Sequence, residues 1–300
     1  MLHNGRLMVC MALLCASTAG AQAQSAPQNA GLPKLSEVQP LPEPGPVRNV
    51  RLSLETAYAN AVNVNQPTKL DQKSWQSSMT LDADLGEWAF AGITGTYSKE
   101  DITSTNLAFA MPMAGTASVL GVDGVIGIRP VEFLEFGLTG GFGSASASYQ
   151  FTGLGFAVPA TPGNSSSRRL GAFMNAFYRL DKITLSATAM LLDSRTWVDY
   201  GPGNVPQTDD YGATLLLGRL GAAYSLTDAF TVSGGLTLNS LVSQDIPAAQ
   251  TGLDPLWATI DIGAQYAITP QFSVNAKAAT WLLNDRMTFN RFSVGASYSF

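Results

Sequence analysis

Asp82 and Asp84 have the spacing that most invites a chemical role, because residues two apart on a strand share one face. Paired carboxylates of this kind can hold a cation or exchange a proton with a substrate. No further oxygen-bearing residues follow at the spacing of a calcium-binding loop. We therefore predict no metal site, no cofactor and no catalytic residue at this pair.

The single histidine, His3, and both cysteines, Cys10 and Cys15, lie in an N-terminal segment that we predict to be removed. No histidine would then remain to activate a nucleophile, and no thiol would remain to form a disulfide. We therefore expect that the protein is not an enzyme.

An export signal is predicted at residues 1–23. Arg6 supplies its positive charge, Leu7 to Ala16 its apolar stretch, and Ala21 and Ala23 the small residues of a cleavage site. The apolar stretch is too short to cross a bilayer as a helix, which takes about 20 residues. The signal predicts export from the cytoplasm.

Residues 24–47 are rich in proline, which disfavours both helix and sheet, so we predict a semi-rigid periplasmic tether. From residue 48 onward, apolar residues alternate with small or polar ones, which is the period of a strand with two different faces. The last strand shows this most clearly, and its apolar face carries Phe292, Val294, Ala296, Tyr298 and Phe300.

Connections between these segments are alternately short and long, as in barrels that cross a bacterial outer membrane. We predict an all-β, transmembrane, antiparallel up-and-down β-barrel over residues 48–300, with about 12 strands; 10 or 14 remain open. The predicted strands are 49–60, 75–84, 88–98, 118–128, 132–149, 168–179, 183–197, 212–225, 229–242, 255–267, 271–283 and 290–300. The long connections are predicted at 61–74, 100–117, 151–167, 199–211 and 243–254.

Aromatic residues recur near both ends of the predicted strands, where amphipathic rings favour the headgroup level of a membrane. Near the short turns the predicted girdle consists of Tyr178, Tyr224, Tyr266 and Tyr298. Near the long connections it consists of Trp75, Trp197, Trp257 and Trp281.

Charged residues fall on the face opposite the apolar one, which would line the lumen. Two interpretations stay open: opposite charges on neighbouring strands pair and fix the register, or the charges line a weakly selective hydrophilic pore. The predicted lumen residues are Arg51, Glu55, Asp82, Asp84, Asp123, Arg129, Glu135, Arg169, Arg179, Arg219, Asp261, Lys277 and Arg291.

Glycines cluster at Gly137, Gly140, Gly141 and Gly143, within one predicted strand and with no helix after them. A phosphate-binding loop needs that helix, so close packing at the backbone is the favoured reason for the cluster.

The chain is acidic, with 22 Asp+Glu against 17 Lys+Arg, which argues against a nucleic-acid partner. The partners expected for such a barrel are outer-membrane lipid and lipopolysaccharide, with the barrel-assembly machinery and periplasmic chaperones in transit. The oligomeric state stays open.

The stretch from Ser118 to Phe300 resembles the translocator β-barrel of autotransporters. The resemblance is carried by Gly121-Val122-Asp123, Phe136 to Gly141, Arg169 to Phe173 and the closing strand. It implies the outer membrane of a Gram-negative bacterium as the location. It also implies that Tyr298 and Phe300 form the signal that the assembly machinery reads.

The segment between the cleavage site and the first strand is too short for the passenger domain that autotransporters carry. We therefore predict a translocator-like barrel without a passenger. It would act as a passive, porin-like or translocator-type channel for small hydrophilic solutes. The alternative is a structural or adhesin-like surface barrel whose lumen is filled by side chains.

Overall fold

The computed structural model describes residues 47–63, 68–106, 111–151, 161–200, 207–245, 255–285 and 287–300. The predicted signal, with Ala21 and Ala23, and nearly all of the predicted tether lie outside these ranges and stay predictions.

Every regular element in the described ranges is a β-strand, as the alternation of apolar and polar residues predicts. The strands are β1 (Val47–Asn63), β2 (Thr68–Leu85), β3 (Ala89–Asn106), β4 (Met111–Val131), β5 (Leu134–Phe151), β6 (Thr161–Leu180), β7 (Ile183–Tyr200), β8 (Gln207–Ser225), β9 (Phe230–Gln244), β10 (Leu256–Ala267), β11 (Phe272–Leu282) and β12 (Met287–Ser299). Among the described residues, no helix is long and apolar enough to cross a membrane.

The strands form a closed barrel in which each pairs antiparallel with its neighbours in sequence and β12 pairs with β1. The closing seam runs from Arg51 opposite Ser299 to Asn63 opposite Met287. Closure leaves no sheet edge exposed to lipid, where an unpaired backbone group has no hydrogen-bond partner. The predicted all-β antiparallel barrel and its strand number are confirmed.

The strands are longer than predicted at the end that carries the long connections. Residues 68–74 belong to β2, residues 100–106 to β3, residues 111–117 to β4 and residues 161–167 to β6, although all were predicted to lie in connections. Their ladders continue in register, for instance with Asp71 opposite Thr103. The prediction failed because these segments lose the apolar face while keeping backbone pairing, which needs no apolar side chain.

Short turns join the strands at the opposite end, as predicted. Gly86, in the turn between β2 and β3, has φ 77°, a left-handed conformation that glycine adopts without steric cost. Asp181 takes φ 48° in the turn between β6 and β7, and Asp tolerates this region better than most residues. These turns fix the register of the hairpins.

The two faces of the barrel wall differ as a membrane-spanning barrel requires. On β7, Leu185 and Leu191 point outward and are 43% and 49% exposed, while Met190 and Leu192 point inward and are 5% and 3% exposed. This alternation continues around the wall and presents an apolar outer band. Most of the charged side chains in the membrane-spanning part of the wall therefore lie on the lumen face.

Candidate functional site: the barrel lumen

The lumen contains charged side chains that form ion pairs. The predicted lumen residues follow the inward parity of their strands, and most of them contact an opposite charge. The ion pairs are Arg51–Asp82 at 3.1 Å, Arg129–Asp84 at 2.5 Å, Arg129–Glu135 at 2.7 Å, Arg169–Asp123 at 2.9 Å, Arg219–Asp261 at 2.7 Å and Arg291–Glu55 at 2.8 Å.

One of these pairs crosses an entire strand. Arg169 on β6 donates from Nε and Nη2 to Asp123 on β4, and Gly141 on β5 lies between them in the register. A Cβ at Gly141 would collide with the Asp123 carboxylate. The glycine therefore leaves the space through which the ion pair passes.

A second ion pair passes over a glycine in the same way, on strands β8 to β10. Arg219 on β8 reaches Asp261 on β10, past Gly235 on β9, which is opposite Asp261. A Cβ at Gly235 would lie 2.5 Å from Arg219 Nη2 and 2.9 Å from Asp261 Oδ2. Gly137, within the cluster predicted to pack closely, would in turn clash with the ring of Phe173. Small residues on the inner wall thus make room for long side chains from neighbouring strands.

Arg129 is the hub of a network close to the short turns. It binds Asp84 and Glu135, and its guanidinium lies 4.6 Å from the ring centroid of Phe90. Glu135 also accepts a hydrogen bond from Asn175 Nδ2 at 3.1 Å. Because several charge-assisted hydrogen bonds meet at Arg129 and Glu135, the network resists rearrangement.

A second group of charges lies farther along the barrel. Lys277 on β11 interacts electrostatically with Glu55, Asp261, Arg219 and Arg291, so three basic and two acidic groups share this part of the wall. Charges of mixed sign do not create a one-signed ring, the usual basis for selecting ions of one sign.

Arg179 is the predicted lumen residue that the structure leaves at the rim. Its side chain is exposed near the short turns, and its Nε donates to the Asp181 carbonyl at 3.5 Å. It takes no part in the ion-pair network described above.

Three aromatic rings contact one another inside the lumen. The ring centroids of Trp281 and Phe289 are 4.8 Å apart in a stacked arrangement, and those of Trp281 and Trp257 are 5.8 Å apart. Trp257 is 1% exposed. The prediction that Trp257 and Trp281 belong to the outer girdle is wrong. Both are in phase with the inward residues Asp261 and Lys277 of their strands, and strand parity outweighs nearness to a long connection.

An apolar cluster lies in the lumen near the long connections. We call it the outer apolar layer, and its buried members are Ala61, Ile102, Ala117, Ala147, Val198, Met287 and Phe289. They come from β1, β3, β4, β5, β7 and β12, and β7 lies across the barrel from the seam of β1 and β12. Apolar side chains therefore meet from opposite walls.

A second apolar cluster covers the wall from β6 to β10 at mid-height. Its buried members are Phe173, Met190, Leu192, Leu215, Leu217 and Trp257. Trp281 packs against both clusters and joins them. The lumen thus combines ion-paired charges near the short turns with apolar clusters toward the long connections, where buried polar residues such as Gln72 and Glu100 lie among the apolar ones.

Glu100 is a lumen residue that the sequence did not single out. It is 1% exposed and accepts hydrogen bonds from Gln72 Nε2 at 2.9 Å and from Ser98 Oγ at 3.4 Å. It was missed because it falls in a predicted connection. Its parity with Ser98 and Ile102 on an extended β3 was the signal that could have revealed it.

The predicted tyrosines lie on the outer face near the short turns. Their exposed fractions are 62% for Tyr178, 43% for Tyr224, 49% for Tyr266 and 44% for Tyr298. At the other end, Trp75 is 60% exposed, and the parity of Trp197 directs it outward. The outward placement is what a membrane girdle needs, and the girdle itself stays a prediction.

The C-terminal residue completes the seam. The backbone N–H of Phe300 donates to the carbonyl of Val50 at 2.9 Å, and its exposed ring contacts Tyr298 edge-on at 4.9 Å. Both rings point out of the barrel, where another protein could reach them before insertion.

Neither the protein-family models nor the curated proteins contain a match to this chain. Solved structures do. The translocator domain of the autotransporter NalP from Neisseria meningitidis superposes with a TM-score of 0.76 and 11% identity, over 96% of this chain and 97% of that one. The beta domain of the Bordetella autotransporter BrkA superposes with a TM-score of 0.63 and 15% identity, over 84% of this chain and 100% of that one. The transport unit of AIDA-I from Escherichia coli superposes with a TM-score of 0.56 and 15% identity, over 88% of this chain and 93% of that one.

These superpositions establish the fold. The predicted likeness to autotransporter translocator barrels is confirmed at the level of architecture, since the likeness covers nearly the whole of each barrel. At identities this low, what the lumen does must be inferred from its own side chains.

Proposed function

We propose that this chain is a channel barrel of the Gram-negative outer membrane, offering a narrow passive path to small hydrophilic solutes. The observation that carries the proposal is the part of the lumen near the short turns, where mutually paired charges and hydroxyl-bearing residues face inward. Side chains of this kind are stable in contact with water, and their desolvation would be costly. The translocator-type fold supports the membrane location.

The path is expected to discriminate weakly between cations and anions. The guanidiniums of Arg129, Arg169 and Arg219 each contact a carboxylate, so opposite charges largely cancel at the lumen wall. Ion selectivity by charge needs an excess of one sign at the constriction.

The outer apolar layer is the constriction in this proposal. Phe289 and Trp281 stack within it, and a narrow apolar segment can stop water and ions by dewetting. We infer that the resting channel is closed there and that passage requires these side chains to move.

A second candidate is a structural or surface-interaction barrel with a permanently filled lumen. The contact of apolar side chains from opposite walls favours it. Neither candidate needs a catalytic residue, and we propose no enzymatic activity. Both require export and insertion by the barrel-assembly machinery.

Uptake into proteoliposomes separates the two candidates. Vesicles containing the purified protein are placed in isotonic solutions of sugars of increasing size, and swelling is followed by light scattering. The channel predicts slow swelling that falls with solute size and accelerates in Phe289→Ala. The absence of swelling in both proteins would overturn the channel and leave the filled barrel.

A further inference from the structure

Two arginines face each other on the outside of the barrel. Arg168 on β6 and Arg195 on β7 are direct register partners, and both side chains are exposed. Like charges directly opposite each other on a sheet are destabilising. The pair therefore does not stabilise the hairpin formed by β6 and β7, and a binding role would account for this arrangement.

The pair lies where the outer face stops being apolar. Along β6, the outward residues Tyr178, Met174 and Leu170 are 62%, 42% and 64% exposed, and beyond Arg168 the outward residues are Ser166 and Asn164. About ten residues separate Tyr178 from Arg168, which is the length at which a tilted strand crosses the hydrocarbon core. Arg168 therefore lies at the level of the outer-leaflet headgroups.

The neighbours of Arg168 suit an interfacial site. Its guanidinium lies 6.0 Å from the ring centroid of Trp197, and its register partner on β5 is Phe142, whose ring is 74% exposed. The Trp197 and Phe142 rings supply apolar contact, while the Arg168 guanidinium stays available where the apolar band of the outer face ends. Among the described residues, the guanidinium of Arg168 makes no ion pair or hydrogen bond.

Acidic residues nearby neutralise the pair only in part. Asp210 lies 3.7 Å from Arg195, with both side chains about half exposed at 49% and 50%, so this contact is weak. Asp193 is on the same face of β7 and accepts a hydrogen bond from Thr214 Oγ1 at 3.2 Å. Neither acid is engaged with Arg168.

We propose that Arg168 and Arg195 bind a phosphate of an outer-leaflet glycolipid, with Trp197 and Phe142 packing against its apolar part. Guanidinium groups bind phosphate through two parallel hydrogen bonds, and two of them side by side match its charge. The phosphate also relieves the repulsion between the arginines. This inference rests on the proposed outer-membrane location and is independent of whether the lumen conducts.

The test titrates the full mature protein in detergent with lipopolysaccharide and follows the midpoint of its thermal transition on heat-modifiable gels. We expect binding by the wild type, and about tenfold or more weaker binding by Arg168→Gln/Arg195→Gln. Arg168→Lys/Arg195→Lys keeps the charge but loses the bidentate geometry, so we expect an intermediate loss. Lys73→Gln is the matched control, because Lys73 is an exposed base whose register partner is Asp101.

Two further probes identify the ligand chemistry. Dephosphorylated lipopolysaccharide should bind the wild type as weakly as intact lipid binds the glutamine variant, and inorganic phosphate alone should not shift the midpoint. Equal binding by the wild type and the glutamine variant would overturn the proposal. Undiminished binding of dephosphorylated lipopolysaccharide to the wild type would also overturn it. So would a shift of the thermal midpoint with inorganic phosphate equal to the shift with lipopolysaccharide. Each variant must first show wild-type mobility when folded, and a negative result here leaves the vesicle-swelling result untouched.

Discussion

Arg169 and Asp123 form an ion pair across an intervening strand, directly over Gly141. The distance between second-neighbour strands is covered by the long arginine side chain, and the glycine keeps that route free. Arg219 and Asp261 repeat the arrangement over Gly235. Ion pairs between side chains therefore connect second-neighbour strands, in addition to the backbone hydrogen bonds that join neighbouring strands.

The glycine beneath the ion pair should be intolerant of even a methyl group. Gly141→Ala would push the Asp123 carboxylate away, and overpacking of this kind costs about 1–3 kcal/mol. Reversible unfolding by denaturant in lipid vesicles measures this loss. Gly218→Ala is the control, because a Cβ there meets nothing within 4 Å. Equal stability of the two variants would contradict the packing role assigned to Gly141.

The Arg169–Asp123 pair should show strong energetic coupling in a double-mutant cycle. Arg169→Met leaves a carboxylate without its partner, and Asp123→Asn leaves the guanidinium in the same condition, so each single change is costly. The double variant should lose about 1–3 kcal/mol less than the sum of the two single variants. Strict additivity of the three unfolding free energies would show that the contact is energetically silent.

The network around Arg129 should be more important for stability than an exposed arginine near the same rim. Arg129→Ala leaves Asp84 and Glu135 close together without a cation, and we expect a loss of about 2–4 kcal/mol in the free energy of unfolding. Arg179→Ala provides the comparison, because its side chain is exposed. A loss at Arg179 as large as that at Arg129 would contradict the hub role.

The C-terminal aromatic residue should matter for assembly more than for the stability of the folded barrel. Phe300 and Phe142 are both 74% exposed on the outer face, so their truncation removes similar exposed surface. We expect Phe300→Ala to lower the amount of folded protein in the outer membrane severalfold, and Phe142→Ala to leave it nearly unchanged. Heat-modifiable gel mobility of membrane fractions measures both, and equal levels would refute an assembly signal at Phe300.

Strand parity made much of the lumen predictable. A period of two assigns each residue to one face, so the inward placement of Asp123, Arg169 and Asp261 could be read directly from the sequence. The same rule, applied consistently, would have placed Trp257 and Trp281 inside. Their assignment to the girdle followed nearness to the long connections and ignored parity.

The contacts inside the lumen could not be predicted in the same way. Which carboxylate an arginine reaches depends on the register between strands and on the size of the residue between them, as Gly141 and Gly235 show. The outer apolar layer needs the closed barrel before Ile102 and Val198 can join one cluster. Glu100 was hidden because its strand continues beyond the apolar band, where the sequence looks like a loop.

Single-channel conductance in planar bilayers tests the central claim most directly, that the outer apolar layer closes a path whose other end is lined by paired charges. The wild type should conduct rarely and in small steps. Trp281→Ala/Phe289→Ala should conduct steadily, because it removes the aromatic stack inside the lumen. Trp75→Ala, which changes an exposed ring outside it, should match the wild type. A double variant as silent as the wild type, or a wild type that is steadily open, would contradict the account.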